Sequence, residues 1–181
     1  MGLFTSSNPV TYMLEKDHDK VRSLLKQFEK ASDAHTKAQL VRETLLELEV
    51  HTKVEETLIY PAIRRKIDEE DMKDIMDEAE EEHHVAHTLM NELKRMTPGQ
   101  ERYYAKFSVL GENIKHHIRE EEHQMFPKAE KADGDWEALA KKAKQLKEAL
   151  MARFLGGRGG KKEKGRGRSI KLGRKPRVRE A

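Results

Sequence analysis

Three things are missing from this 181-residue chain, and each absence excludes something. There is no cysteine. Disulfides, zinc ribbons and thiol catalysis are therefore ruled out, and a reducing cytoplasmic setting fits. No apolar run approaches the roughly 20 residues that span a bilayer, and the N-terminus lacks a basic region followed by a hydrophobic core, so a transmembrane segment and a secretory signal are not expected. No segment alternates apolar and polar residues with period two for long enough to suggest a strand. Proline is scarce, at five residues, and acts as punctuation.

What is present is charge, unevenly spread. From Gly156 to Ala181 five Lys and six Arg face two Glu, a tail of +9 on a chain whose total is +3. The preceding 155 residues therefore carry −6. The tail is Gly-, Lys- and Arg-rich without apolar periodicity and is expected to be disordered. Its composition suits a nucleic acid or another polyanion, through contacts that salt weakens. Met1-Gly2-Leu3-Phe4-Thr5-Ser6 also fits the loose N-myristoylation pattern at Gly2.

Helical periodicity organises the rest. Asn8-Pro9 offers a capping residue before a proline at the first helical position, and Leu14, His18, Val21, Leu25 and Phe28 follow at steps of four and three. A second helix is expected from about His35 to the late sixties, with Val41, Leu45, Leu48, Glu55, Leu58 and Ala62 on its inner stripe. A third covers about Glu70 to Arg95. Thr97-Pro98 repeats the cap-plus-proline start for a fourth, with Phe107, Leu110, Ile114, His117, Glu121 and Met125 in phase. A fifth begins near Asp135. Short connections between long amphipathic helices favour antiparallel neighbours. The fold expected is all-α: an up-down-up-down four-helix bundle over residues 1–132, an accessory helix over 133–155 that caps or flanks it, and the basic tail over 156–181.

The bundle is written twice. HTKVEETLIYP, His51 to Pro61, returns as HIREEEHQMFP, His117 to Pro127. His18 and the apolar residues after it match His83 and its followers offset for offset. Residues 10–62 and 75–128 thus read as two copies of one helical hairpin, with Pro61 and Pro127 expected to kink or end the last turn.

On a helix, residues four apart differ by only about 40° in azimuth. His51 with Glu55, and His117 with Glu121, therefore form two pairs, and both fall on core-facing stripes, as do His18 and His83. Burying such groups is costly unless something neutralises them, and a metal ion does so. Six inward groups are too many for one ion and suit two, with imidazole and carboxylate favouring iron, manganese or zinc. His35, His84, His116 and His123 lie off the stripes, although His123 is placed to donate a hydrogen bond behind a ligand. The runs Glu80-Glu81-Glu82 and Glu120-Glu121-Glu122 read mostly as solvated faces. A ferritin-like scheme also finds its spacing, in Glu15-x2-His18 and Glu80-x2-His83, but leaves His51 and His117 unused.

Taken in order, His18, His51-x3-Glu55, His83 and His117-x3-Glu121 resemble the hemerythrin family, specifically its HHE cation-binding domains, over about residues 10–130. The resemblance implies a non-haem di-iron centre. The oxygen-carrying members instead use HxxxH on the third helix and a carboxylate five residues after the fourth-helix histidine. His83-x3-His87 and His117-x4-Glu122 satisfy that version too. Glu122 stands about 140° from His117 around a regular helix, so Glu121 is the preferred carboxylate and Glu122 its alternative. The working ligand set is His18, His51, Glu55, His83, His87, His117 and Glu121. By that resemblance, His83, His87 and His117 fill one iron and the His18/His51 iron keeps an open position. The functions implied are binding or sensing of O2 or NO, turnover of peroxide or NO or ferroxidase chemistry at the same ions, or an iron- or oxygen-responsive interaction module.

Overall fold

A computed structural model describes residues 8–67 and 70–156 of the chain. Gly2 and residues 157–181, hence nearly all of the basic tail, lie outside the described residues. Among those described there is no strand, and no helix is long and apolar enough to cross a membrane.

Helix α1 runs Pro9–Lys30, opened as expected by Asn8, whose side chain accepts from the Val10 amide at 2.9 Å. Helix α2 runs Ala34–Val54, capped by Asp33, which accepts from Thr36 N–H at 2.8 Å. A five-residue π-helical turn, π1, follows at Glu55–Ile59, and α3 continues over Tyr60–Lys66. Helix α4 spans Glu70–Arg95. Helix α5 spans Tyr103–Glu120, then π2 covers Glu121–Met125 and α6 covers Phe126–Lys131. Helix α7 spans Trp136–Gly156, with Asp135 accepting from the Ala138 amide at 2.9 Å.

Two sequence expectations need correction. The fourth helix does not begin at Thr97-Pro98. Gly99 adopts φ +97° and Arg102 φ +66°, so the chain turns twice before Tyr103 starts α5. Nor do Pro61 and Pro127 end their helices, which continue to Lys66 and Lys131. A proline ring clashes with the carbonyl four residues back and leaves it without a donor. Here each proline stands just beyond a π turn, where Tyr60 N–H reaches Glu55 C=O and Phe126 N–H reaches Glu121 C=O, one residue further back than in an α-helix. The inserted residue widens the helix where the ring needs room.

Each π turn and the short helix after it prolong one rod, so the four rods of the bundle are α1, α2–π1–α3, α4 and α5–π2–α6. The fifth helix flanks the bundle. It lies against α1, α2 and π1, with Ala143 fully buried and Trp136, Leu139, Leu146 and Leu150 on the apolar layer of Leu14, Val54 and Ile59. Lys147 pairs with Asp17 on α1. The core has two apolar layers. One holds Val21, Leu25, Leu48, Met90, Phe107 and Leu110; the other holds Leu14, Ile59, Met72, Met76, Met125 and Phe126. Along every rod a histidine falls between them.

Candidate metal centre

That intervening layer is polar and almost dry. His18 and Glu55 are wholly buried, Glu121 is 1 % exposed, His83 and His117 are 2 % exposed and His51 is 5 % exposed. Each histidine stands about half-way along its rod, so antiparallel packing brings all four to one level. The i, i+4 spacing then adds one carboxylate from each repeated motif. Two donor groups result: His18, His51, Glu55 and Glu121 in one, and Glu55, His83 and His117 in the other. Within each, one ligand atom per residue lies within 4.8 Å of all the others. Glu55 belongs to both.

The inward nitrogens converge on the two carboxylates. His51 Nε2 lies 3.1 Å from Glu55 Oε1, and His18 Nε2 lies 3.2 Å from Glu121 Oε2. His83 Nε2 is 3.5 Å from Glu55 Oε2, and His117 Nε2 is 3.5 Å from Glu121 Oε2. Yet His18 Nε2, His51 Nε2, both oxygens of Glu55 and Glu121 Oε2 have no hydrogen-bond partner. Buried polar atoms left unsatisfied at this density are expensive. They fit cations, which take lone pairs at angles where a hydrogen bond cannot form.

Protonation points the same way. Burial works to lower His51, but the Glu55 charge and the contact with Asp17 outweigh it and push the imidazole up to about 10. His18 and His117 are raised too, burial being overcome by Glu121 and, respectively, by Glu122 and Glu82. Burial would raise Glu121, but the charges of His117 and His18 hold it far below the usual carboxylate range. The shifts of His18, His51, His117 and Glu121 all favour positive charge beside the two carboxylates.

Each histidine also has a carboxylate facing its outward nitrogen. His18 Nδ1 donates to Glu122 at 2.9 Å and His117 Nδ1 to Glu82 at 2.8 Å. The repeat mates are looser: His51 Nδ1 is 3.7 Å from Asp17, and His83 Nδ1 is 3.4 Å from Glu56. Such partners fix which ring nitrogen stays free to ligate. The reading of the glutamate runs as solvated faces misses this role for Glu82 and Glu122, whose side chains are 12 % and 18 % exposed. The signal was available: an acid precedes both His18 and His83, and a second glutamate follows both Glu55 and Glu121.

Six residues of the working set meet in this layer; His87 does not. Its side chain is 37 % exposed and its Nε2 lies 2.7 Å from Glu56 Oε1. Glu122 stays outside as well, shared between His18 and Arg22. His123 points its Nδ1 at its own helix, 2.7 Å from Arg119 C=O, rather than at any ligand. His116 forms a surface group with Glu78 and Glu120. One residue of the layer had no place in the sequence reading. Tyr60 is buried and donates to Glu121 Oε1 at 2.8 Å, with its ring against His83.

A bundle with two overlapping, buried imidazole–carboxylate groups defines a cation-binding helical protein. The hemerythrin HHE cation binding domain matches residues 10–129, and the chain belongs to that family. An uncharacterized hemerythrin-like protein of Schizosaccharomyces pombe is 27 % identical over 124 residues, 68 % of this chain and 61 % of the relative. A Nostoc protein described as a DNA nickase is 24 % identical over 114 residues, 63 % of this chain but 31 % of its own length. The chain thus spans less than two thirds of either relative. The crystal structure of a hemerythrin HHE cation binding domain-containing protein from Mycobacterium kansasii has the same fold, with a TM-score of 0.67 at 23 % identity, covering 82 % of this chain and 90 % of that one.

Proposed function

We propose that the buried layer holds two iron ions and that the protein binds or senses a small diatomic ligand, O2 or NO, at that centre. The observation that carries this reading is the pair of donor groups sharing Glu55. His18, His51 and Glu121 would hold one ion, His83 and His117 the other, and Glu55 would reach both. Imidazole and carboxylate without thiolate suit iron, with manganese and zinc as competitors for the same donors. A di-iron centre supplies exchange of electrons with a small molecule.

The chain's own residues prepare the site. Glu122 and Glu82 orient His18 and His117, and Tyr60 holds one oxygen of Glu121. The apolar layers above and below exclude water. Turnover of peroxide or NO would use the same residues, so the metal must be established first.

The test is metal content after anaerobic loading with ferrous iron, for wild type and His51→Ala. Close to two irons per chain in wild type, mostly lost in the variant, is expected. Iron indifferent to His51 would make the repeated motif structural.

A further inference from the structure

We propose that exogenous ligands reach the centre through a cavity between α3 and α4 and meet its His83/His117 half. This is the reverse of the side implied by the oxygen-carrying hemerythrins, and it rests on the di-metal reading above.

The first argument is the supply of donors. The His18 group brings four residues together, the His83 group three. The residue that would fill the second group, His87, is drawn off by Glu56 instead. The His83 half is therefore the one left short of protein ligands.

The second argument is access. A cavity of about 510 Å³ is lined by Glu56, Tyr60, Arg64, His83, His84 and His87 among others. His83 and Tyr60 belong to the buried layer and to the cavity wall at once, so the cavity abuts the centre at these two side chains. His83 Nδ1 faces Glu56, also on that wall, at 3.4 Å without closing a hydrogen bond.

The third argument comes from the repeat. Residues at equivalent positions in the other half are bulkier, less polar or of opposite charge. Phe126 replaces Tyr60 and stacks on His18 with ring centroids 5.7 Å apart and planes 9° apart. Arg22 replaces His87 and is tied to Glu122 by a charged hydrogen bond. Asp19 replaces His84, and Glu130 replaces Arg64. The His18 half is covered by an apolar ring and a guanidinium tied to Glu122, whereas the His83 half is lined by the ring of Tyr60, two imidazoles and an arginine.

The lining also indicates a ligand class. Arg64 is held by Asp77 and Glu80 and His87 by Glu56, so the lining offers polar groups with little net charge to spare. Such a lining suits small neutral or singly anionic molecules better than divalent anions.

Azide is the probe, added to the iron-loaded full chain and followed by stopped-flow absorbance. His84→Trp narrows the cavity from an exposed position, and Asp19→Trp makes the same change at the repeat-equivalent site. The expected result is an association rate about tenfold lower in His84→Trp, no change in Asp19→Trp, and wild-type iron content in both. Equal rates in all three proteins, or slowing by Asp19→Trp, would overturn the side assigned here while leaving the di-iron reading intact. Repeating the titration with cobalt(II), whose visible absorption reports a ligand change, separates a wrong metal from a wrong port. A chain that binds neither metal would bring down both readings.

Discussion

Asp17, Glu56, Glu82 and Glu122 face the outward nitrogens of the four histidines, so each can be neutralised without removing one of the proposed ligands. Glu82 gives the cleanest case because its bond to His117 Nδ1 is short, at 2.8 Å. Glu82→Gln keeps the shape and removes the charge that fixes His117. Metal affinity should fall about 10- to 100-fold, measured by competition with a chromophoric chelator, with the exposed Glu81→Gln as control. An unchanged affinity would reduce Glu82 to a surface ion-pair residue. These partners were hard to read from spacing. A one-residue step turns a helix by about 100°, so Glu122 looks averted from a site that Glu121 faces. On α5–π2 that is true of its own helix; what spacing cannot show is that the averted residue meets His18 on α1.

At the scale of elements, the rods were legible because their apolar stripes are long and the repeat fixes their register. The two π turns were not, because a period of 3.6 residues hides a single inserted residue. Their signal is the proline six residues after Glu55 and after Glu121, which a regular helix could not accommodate without loss. The late start of α5 was missed for a related reason: Thr97-Pro98 has the right cap chemistry, but Gly99 takes a positive φ and breaks the run. Helix α7 was placed only loosely, since a stripe of apolar residues does not say which face of the bundle it covers. The contact that fixes it is Ala143, fully buried against the bundle. Ala143→Arg should lift α7, costing about 1–3 kcal/mol by overpacking. Trp136 is the single tryptophan of the chain, so its emission should shift to the red as the melting temperature falls. Unaltered emission would mean that α7 does not depend on this contact.

For the whole molecule, the buried charges make stability depend on pH in a way metal should alter. Glu56 is lowered from 4.5 to about 2, chiefly by its contact with His83, so its contribution is present above 4.5 and lost as pH falls through about 2. His51 is raised from 6.5 to about 10, the Glu55 charge outweighing burial, so its contribution is full below 6.5 and lost as pH rises through about 10. The metal-free protein should therefore melt highest between about 4.5 and 6.5. Metal needs the imidazoles unprotonated, so loading releases protons and its stabilisation grows with pH. Melting temperatures across pH 5–8, with and without ferrous iron under anaerobic conditions, should diverge steadily as pH rises. A constant gap would mean that no buried imidazole gives up a proton to the metal.

The exchange of partners between the repeats has one more consequence. His18 leans on Glu122, His83 faces Glu56, and each donor group contains residues of both hairpins. Neither hairpin completes a donor group by itself, since Glu121 is lent to the first and Glu55 to the second. A metal held there would be a clasp across the seam between the two repeats, fastening each to the other.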